Sequence, residues 1–219
     1  MNGWLPRSNK ERELMIAIVL QVLGCVSVVT GTFILGARLR RNPTKDTAER
    51  FSRILHFMLF ACLAFPCLLS VFYPGLGRLD GVLGLPSLPR WPVLIAAGIL
   101  LAAVGLYLGV ASNWALGAIG KGAAAFSLTQ TVVERSIYGR TRNPMSLGLY
   151  LICAGVGLAV GSTYITIGSL IGVIPAHVFF LKYFEELELQ LRFGDEYVAY
   201  KRGAPFLFPR LGRAAKRGG

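Results

Sequence analysis

The chain has 219 residues, 54% of them hydrophobic and 16% charged, with a positive mean hydropathy and a formal net charge of +12. That is too apolar for an ordinary soluble domain of this length, so the first expectation is a membrane protein. The cations flank apolar runs and form no separate basic domain, which argues against a nucleic-acid partner and for topology signals that also attract anionic lipid headgroups.

The first apolar run, Leu14 to Gly36, is long enough to cross the hydrocarbon core, which takes about 20 helical residues. It is longer than a signal-peptide core and no small-x-small site follows, so it is expected to stay as an anchor. Further runs occupy Ile54 to Tyr73, with Pro66 placed to kink it, and Trp91 to Ser112. Beyond Gln21, Ser27, Thr30, Thr32 and His56 these three spans carry few polar groups and read as scaffold.

A long mixed loop follows from Asn113 to Pro144, containing "GKG" at Gly120 to Gly122 and "VVERSIYGRTRNP". Loops of this length in compact proteins are often functional. Leu147 to Phe184 is nearly twice a span, and the "GST" at Gly161 to Thr163 divides it into two antiparallel helices. Gly157/Gly161 and Gly168/Gly172 have the small-xxx-small spacing of closely packed helices. After it, Phe184, Leu187 and Leu191 recur on one helical face while Glu185, Glu188 and Arg192 turn elsewhere. Phe193-Gly194 ends that helix, and a second short helix is expected around Asp195 to Lys201.

The pattern predicts an all-α integral membrane protein of five spans: a hairpin of spans four and five and a cytoplasmic C-terminal helical segment, in one domain of residues 1–219. Lys and Arg place the N-terminus outside: eighteen then fall on the cytoplasmic side and five on the other. Cys25, Cys62, Cys67 and Cys153 lie inside apolar runs without CxxC or histidine spacing, so neither a disulfide frame nor a metal site is indicated.

"YGRTRNPMSLG", residues 138–148, holds the polar groups that a span would not need. Pro144 suits the first turn of span four. The amides after it, with Arg140 and Arg142 beside them, make a place for a carboxylate or phosphate. An antiparallel hairpin returns residues near 185 to the same face, bringing Glu185 and Glu186 toward Arg142 and Asn143. His177 lies about two turns earlier, roughly 12 Å along the axis, and an ionisable group at that depth is a functional candidate. Surface ion pairing, topology signalling and an aromatic belt of Tyr138, Tyr183, Tyr197 and Tyr200 are the plainer readings of the same residues.

"GKG", "VVERSIYGRTRNPMSLGLYL" and "HVFFLKYFEELELQLRFGDEYVAYKRGAPFLFPR" together resemble the isoprenylcysteine carboxyl methyltransferase and phospholipid methyltransferase family over about the last hundred residues. The resemblance implies a membrane enzyme that binds S-adenosylmethionine on its cytoplasmic side and takes a lipophilic substrate from the bilayer. It puts Gly120, Gly122, Tyr138, Arg142, Asn143, Pro144, Gly148, Glu185, Glu186, Tyr197 and Tyr200 at the cofactor, with Arg142, Glu185, Glu186 and His177 as catalytic candidates. It divides the chain into a three-span scaffold, residues 1–113, and a cofactor-binding part, residues 114–219, in the cell (inner) membrane of a prokaryote. Three departures stand out: "RSIY" replaces Gly-Pro-Tyr, Ser146 stands where the family has Tyr, and Leu187 where a bacterial subgroup has Pro.

The expected activity is S-adenosylmethionine-dependent methylation of a lipophilic acceptor. A carboxylate acceptor needs a cation to aim it, for which Arg140 or Arg142 would serve. An amine or thiol must lose a proton, for which a Glu or His177 would serve. The alternatives are a sterol-reductase-like oxidoreductase, against which five spans argue, and an inactive relative acting as a membrane-assembly partner.

Overall fold

The computed structural model describes residues 9–65, 79–122 and 128–209, and every described element is helical. Pro66, Cys67 and the end of the second expected span lie outside the described residues. In chain order the helices are α1 (Asn9–Arg41), α2 (Lys45–Met58), which continues as a π-helical stretch Leu59–Ala64, α3 (Leu79–Val82) and α4 (Pro92–Ala118). There follow α5 (Pro144–Val160), α6 (Thr163–Phe193) and α7 (Asp195–Gly203). Met15–Arg41, Pro92–Ala118 and Thr163–Phe193 are long and apolar enough to cross a membrane, and α5 is a shorter apolar helix.

The divided tract is a hairpin, as its glycine and serine predict. Gly161 ends α5 in the left-handed region, at φ 76°, which a side chain would oppose. Ser162 caps α6 by accepting from the Ile165 amide, and Gly157 abuts Thr166, closing the two arms. The Asp80 carboxylate, 2% exposed, also meets this turn. It accepts from the Thr163 amide at 3.0 Å, the Tyr164 amide at 2.6 Å and the Ser162 hydroxyl at 3.2 Å, so a full negative charge faces the positive end of α6.

Close approach of helices falls elsewhere than at Gly168 and Gly172, whose surroundings leave ordinary contact distances. Helices α4 and α5 cross where Gly98 and Gly105 meet Gly155 and Gly148. A Cβ on Gly105 would stand 2.5 Å from the Gly148 carbonyl oxygen, and one on Gly148 would stand 2.6 Å from that of Gly105. Gly148 is thus a packing residue of the α4–α5 crossing.

Helix α1 runs parallel to α6, from Gln21, whose Oε1 accepts from the Tyr164 hydroxyl, to Gly36 beside Tyr183. Arg40 fixes that end: its guanidinium lies 3.9 Å over the Tyr183 ring and donates to the Tyr183 carbonyl. Helix α2 turns back against α1, so that Gly31 faces Met58 and Gly24 faces the Cys62 backbone. Leu39, Ala48 and Leu55 pack on Phe180, Leu181 and Phe184 of α6, with Leu187 and Leu191 alongside. This is the apolar face expected after Phe184. Its burial turns Glu185, Glu188 and Arg192 the other way.

Candidate functional site

At 1.5 Å per residue α6 is roughly 46 Å long, more than an apolar core of about 30 Å. Counted from Thr163, about 30 Å of helix ends near Lys182, and Glu185 and Glu186 lie just beyond it, at the end where α5 begins. Pro144 occupies the first turn of α5, where its missing N–H costs nothing.

The segment before Pro144 is held by the tail after α7. The Arg142 amide donates to the Pro205 carbonyl at 2.9 Å, Asn143 Nδ2 to the Phe206 carbonyl at 2.9 Å, and the Thr141 hydroxyl to the Leu207 carbonyl at 2.8 Å. With its backbone fixed, Arg142 reaches Glu186 at 3.1 Å and donates to the Tyr197 hydroxyl at 3.4 Å. Glu186 also pairs with Lys201 at 2.5 Å and Lys182 at 3.3 Å. The guanidinium is 7% exposed, and its Nε is buried with no hydrogen-bond partner.

Tyr200 donates to the Tyr138 carbonyl at 2.8 Å, tying α7 to the short 3-10 turn Ser136–Gly139. Burial, reinforced by the Glu185 charge, holds the Tyr138 and Tyr197 phenols above the ordinary tyrosine range. Burial does the same for Tyr200, with Tyr138 adding to it. All three are therefore neutral hydroxyls.

These groups close one end of a cavity of about 1160 Å³ that runs between α1, α2, α5 and α6 toward Gln21 and Tyr164 at the far end. Its body is apolar, built by residues such as Leu149, Ile152, Val156 and Leu181. Val22, Val26, Phe57, Ile167 and Ile171 line it and are also exposed on the outer surface, so the cavity reaches the lipid-facing side of the bundle. Tyr138, Arg142, Asn143, His177 and Glu185 of the expected site form its wall. Glu186, Tyr197 and Tyr200 stand one layer behind and hold Arg142 and Tyr138 in place. Gly120 packs against Val133 and Thr129 and its carbonyl accepts from Gln130, while Gly122 donates to Leu116. Neither glycine lines the cavity, and Arg140 is an exposed residue outside its wall. Ser146 lines it, so the replacement of the family's tyrosine leaves room there.

Three wall residues were not singled out by sequence. Arg192 pairs with Glu188 at 2.7 Å, lies 3.7 Å from Glu49 and donates to the Thr129 carbonyl, joining α2, α6 and the third loop. Glu188 is 1% exposed. His56, read as part of a scaffold span, points its Nε2 toward Glu185 at 3.9 Å. The Glu-x-x-x-Arg spacing of Glu188 and Arg192 could have signalled their pairing. Nothing local signals the contact of His56 with a residue 129 positions away.

The family model described as phospholipid methyltransferase matches residues 93–196. No curated protein and no solved structure matches the chain. The matched stretch runs from α4 through the first turn of α7 and contains Tyr138, the Arg142–Glu186 pair, Glu185 and His177. Over that segment the chain is similar to the phospholipid methyltransferase family.

Proposed function

We propose that the protein is an S-adenosylmethionine-dependent methyltransferase that acts on a lipophilic acceptor at the cytoplasmic face of a cell membrane. The observation that carries this reading is a single cavity with a polar, charged end at the headgroup layer and an apolar body that reaches the lipid-facing surface. A molecule with a long apolar chain can lie in the body and place its polar end among Tyr138, Arg142 and Glu185. The same cavity argues for the transferase over a reductase-like alternative, because its donor set suits a zwitterion. It offers a cation with an unpartnered Nε, carboxylates and neutral phenols.

The residues present fit the cofactor on those grounds. Arg142 would hold its carboxylate through the free Nε edge. Tyr138 would cover an aromatic base, the Asn143 amide would exchange hydrogen bonds with hydroxyls, and the carboxylates would accept from hydroxyls and the amine. Bound there, the cofactor supplies a methyl group on a positively charged sulfur, open to in-line displacement. Glu185 offsets positive charge in the site, while the surrounding helices exclude water, which strengthens each of these interactions. Glu186, Lys182, Lys201 and Tyr197 keep Arg142 aimed, so little reorganisation is needed at the reacting centre.

Five crossings with the N-terminus outside agree with the distribution of cations and with the parallel course of α1 and α6. In this reading residues 114–219 carry the cofactor and residues 1–113 build the rest of the wall.

The test is calorimetric titration of S-adenosylhomocysteine into the detergent-solubilised protein. Micromolar binding is expected in the intact chain. In Arg142→Ala at least a tenfold loss, about 1.4 kcal/mol, is expected. That variant should fold, because Glu186 keeps Lys201 and Lys182 as partners. No binding to the folded intact protein would overturn the reading.

A further inference from the structure

A second recess, of about 450 Å³, is built by Lys45, Glu49 and Arg53 of α2, the loop residues Leu128, Thr129 and Gln130, and Arg192 and Phe193 at the end of α6. Arg53, Leu128, Thr129 and Arg192 also line the main cavity, so the two spaces meet along one wall.

Three cations against one carboxylate make the recess electropositive. Among the described residues no ion pair joins Lys45 or Arg53 to a carboxylate. Water ordinarily satisfies exposed cations of this kind, but Arg192 is out of its reach, with a side chain 6% exposed. Its Nη1 pairs with Glu188 at 2.7 Å and its Nη2 donates to the Thr129 carbonyl, while Nε is buried with no hydrogen-bond partner. Glu49 Oε1 lies 3.7 Å from that Nε, close enough for attraction between charges and too far for a hydrogen bond. A buried N–H left unmade is costly. The recess therefore holds a donor in need of an acceptor, next to a carboxylate that can itself accept.

These groups select a ligand by its chemistry. A bare anion gains from Lys45, Arg53 and Arg192 but is repelled by Glu49. An ammonium gains from Glu49 but meets three cations, and it offers Nε nothing to donate to. A hydroxyl beside a negative charge satisfies them all, because its oxygen accepts from Nε and its hydrogen goes to Glu49.

The order of groups along α2 points to a lipid. Lys45, Glu49, Arg53 and Phe57 follow at four-residue intervals, roughly 6 Å per step. Phe57 is 68% exposed and borders the main cavity where it opens to lipid, and Ile54 beside Arg53 is exposed too. From the membrane outward the helix thus presents apolar surface, then a cation, then a carboxylate beside the Arg192 Nε. An anionic lipid presents chains, phosphate and headgroup in the same order.

We infer that the recess binds an anionic lipid whose phosphodiester carries a hydroxylated headgroup of the glycerol type. The phosphate lies at Arg53, the hydroxyls between Arg192 Nε and Glu49, and the chains on Phe57 and Ile54. Such a lipid has neither an amine nor a carboxylate and is bound without being consumed. It ties α2 to α6 and the third loop, and so holds Arg53 and Arg192 in the wall shared with the main cavity. The site is independent of methyl transfer.

The test titrates the full chain, in an uncharged maltoside detergent, with dioctanoyl phosphatidylglycerol. Dioctanoyl phosphatidate, dioctanoyl phosphatidylethanolamine and glycerol 1-phosphate are titrated separately. Phosphatidylglycerol should bind saturably and at least about tenfold more tightly than each of the others. Arg53→Gln should weaken it at least about tenfold, whereas Arg50→Gln, exposed on the same helix and outside the recess, should leave it unchanged. Glu49→Ala should bring phosphatidylglycerol and phosphatidate to equal affinity, with Arg192 still held by Glu188. Thermal unfolding in the same detergent reports that each variant is folded. Equal losses in Arg53→Gln and Arg50→Gln would reduce the binding to general surface charge and overturn the proposal. Phosphatidylethanolamine bound as tightly would overturn it by giving the recess to a zwitterion, and glycerol 1-phosphate bound as tightly by making the ligand a soluble one. Absence of saturable binding to the folded chain sinks it outright.

Discussion

Ser136 is a non-glycine residue in the left-handed region, at φ 59°, and it opens the short 3-10 turn Ser136–Gly139 that carries Tyr138. A Cβ in this region costs roughly 1–2 kcal/mol, whereas glycine costs about 0.5–1 kcal/mol of chain entropy. Because Ser136 is exposed, packing adds little to the balance. Ser136→Gly should therefore be neutral or stabilising by up to about 1 kcal/mol, and Ser136→Val should destabilise by roughly 1–3 kcal/mol, both read from thermal unfolding in detergent. A loss of stability in the glycine variant would mean that the hydroxyl has a role of its own. Residues of this segment were legible in the sequence because local chemistry limits them: proline at a helix start, arginine and asparagine at an interface. His56 and Asp80 were not, because each acts through a partner on α6 that only the folded chain brings near.

At the scale of elements, the hairpin and the end of α6 could be read from glycine, serine and the length of the apolar tract, because no single helix of that length fits a bilayer. The crossing of α4 with α5 could not. Gly98 and Gly105 are seven residues apart, as are Gly148 and Gly155, and each pair lies in an apolar sequence where glycine is common. The meaning of such spacing appears only when the facing helix has the same period. Gly105→Ala should push the two backbones apart and cost about 1–3 kcal/mol, as overpacking does. Gly109→Ala on the same helix meets nothing within 4 Å and should stabilise by up to about 1 kcal/mol, so comparing the two melting temperatures separates packing from helix propensity. The π-helical turn Leu181–Glu185 was equally hidden. It shifts the helical register at the acidic pair, ending on Glu185, and Glu185 and Glu186 point to different partners: one to His56, the other to Arg142, Lys182 and Lys201.

For the whole molecule, the site is a product of segments distant in the chain, and its most vulnerable support is the tail. Carbonyls of Pro205, Phe206 and Leu207 receive the Arg142 amide, the Asn143 side chain and the Thr141 hydroxyl, while Phe206 lies 3.7 Å from the Lys182 ammonium and 5.6 Å from the Arg142 guanidinium. None of the spans is held by these bonds, so their loss should free the 141–143 segment without unfolding the bundle. Each bond contributes about 0.5–1.5 kcal/mol, and losing three together leaves Arg142 unaimed although its partners on α6 and α7 remain. Ending the chain after Pro209 keeps all three contacts and should preserve S-adenosylhomocysteine affinity. Ending it after Gly203 should weaken that affinity at least tenfold with little change in melting temperature. Equal affinity in the two truncations would show that the α6 and α7 partners alone aim Arg142. The tail would then be a cover lying over the site, and the order of blocks that marks the family would owe its last member to something other than the cofactor.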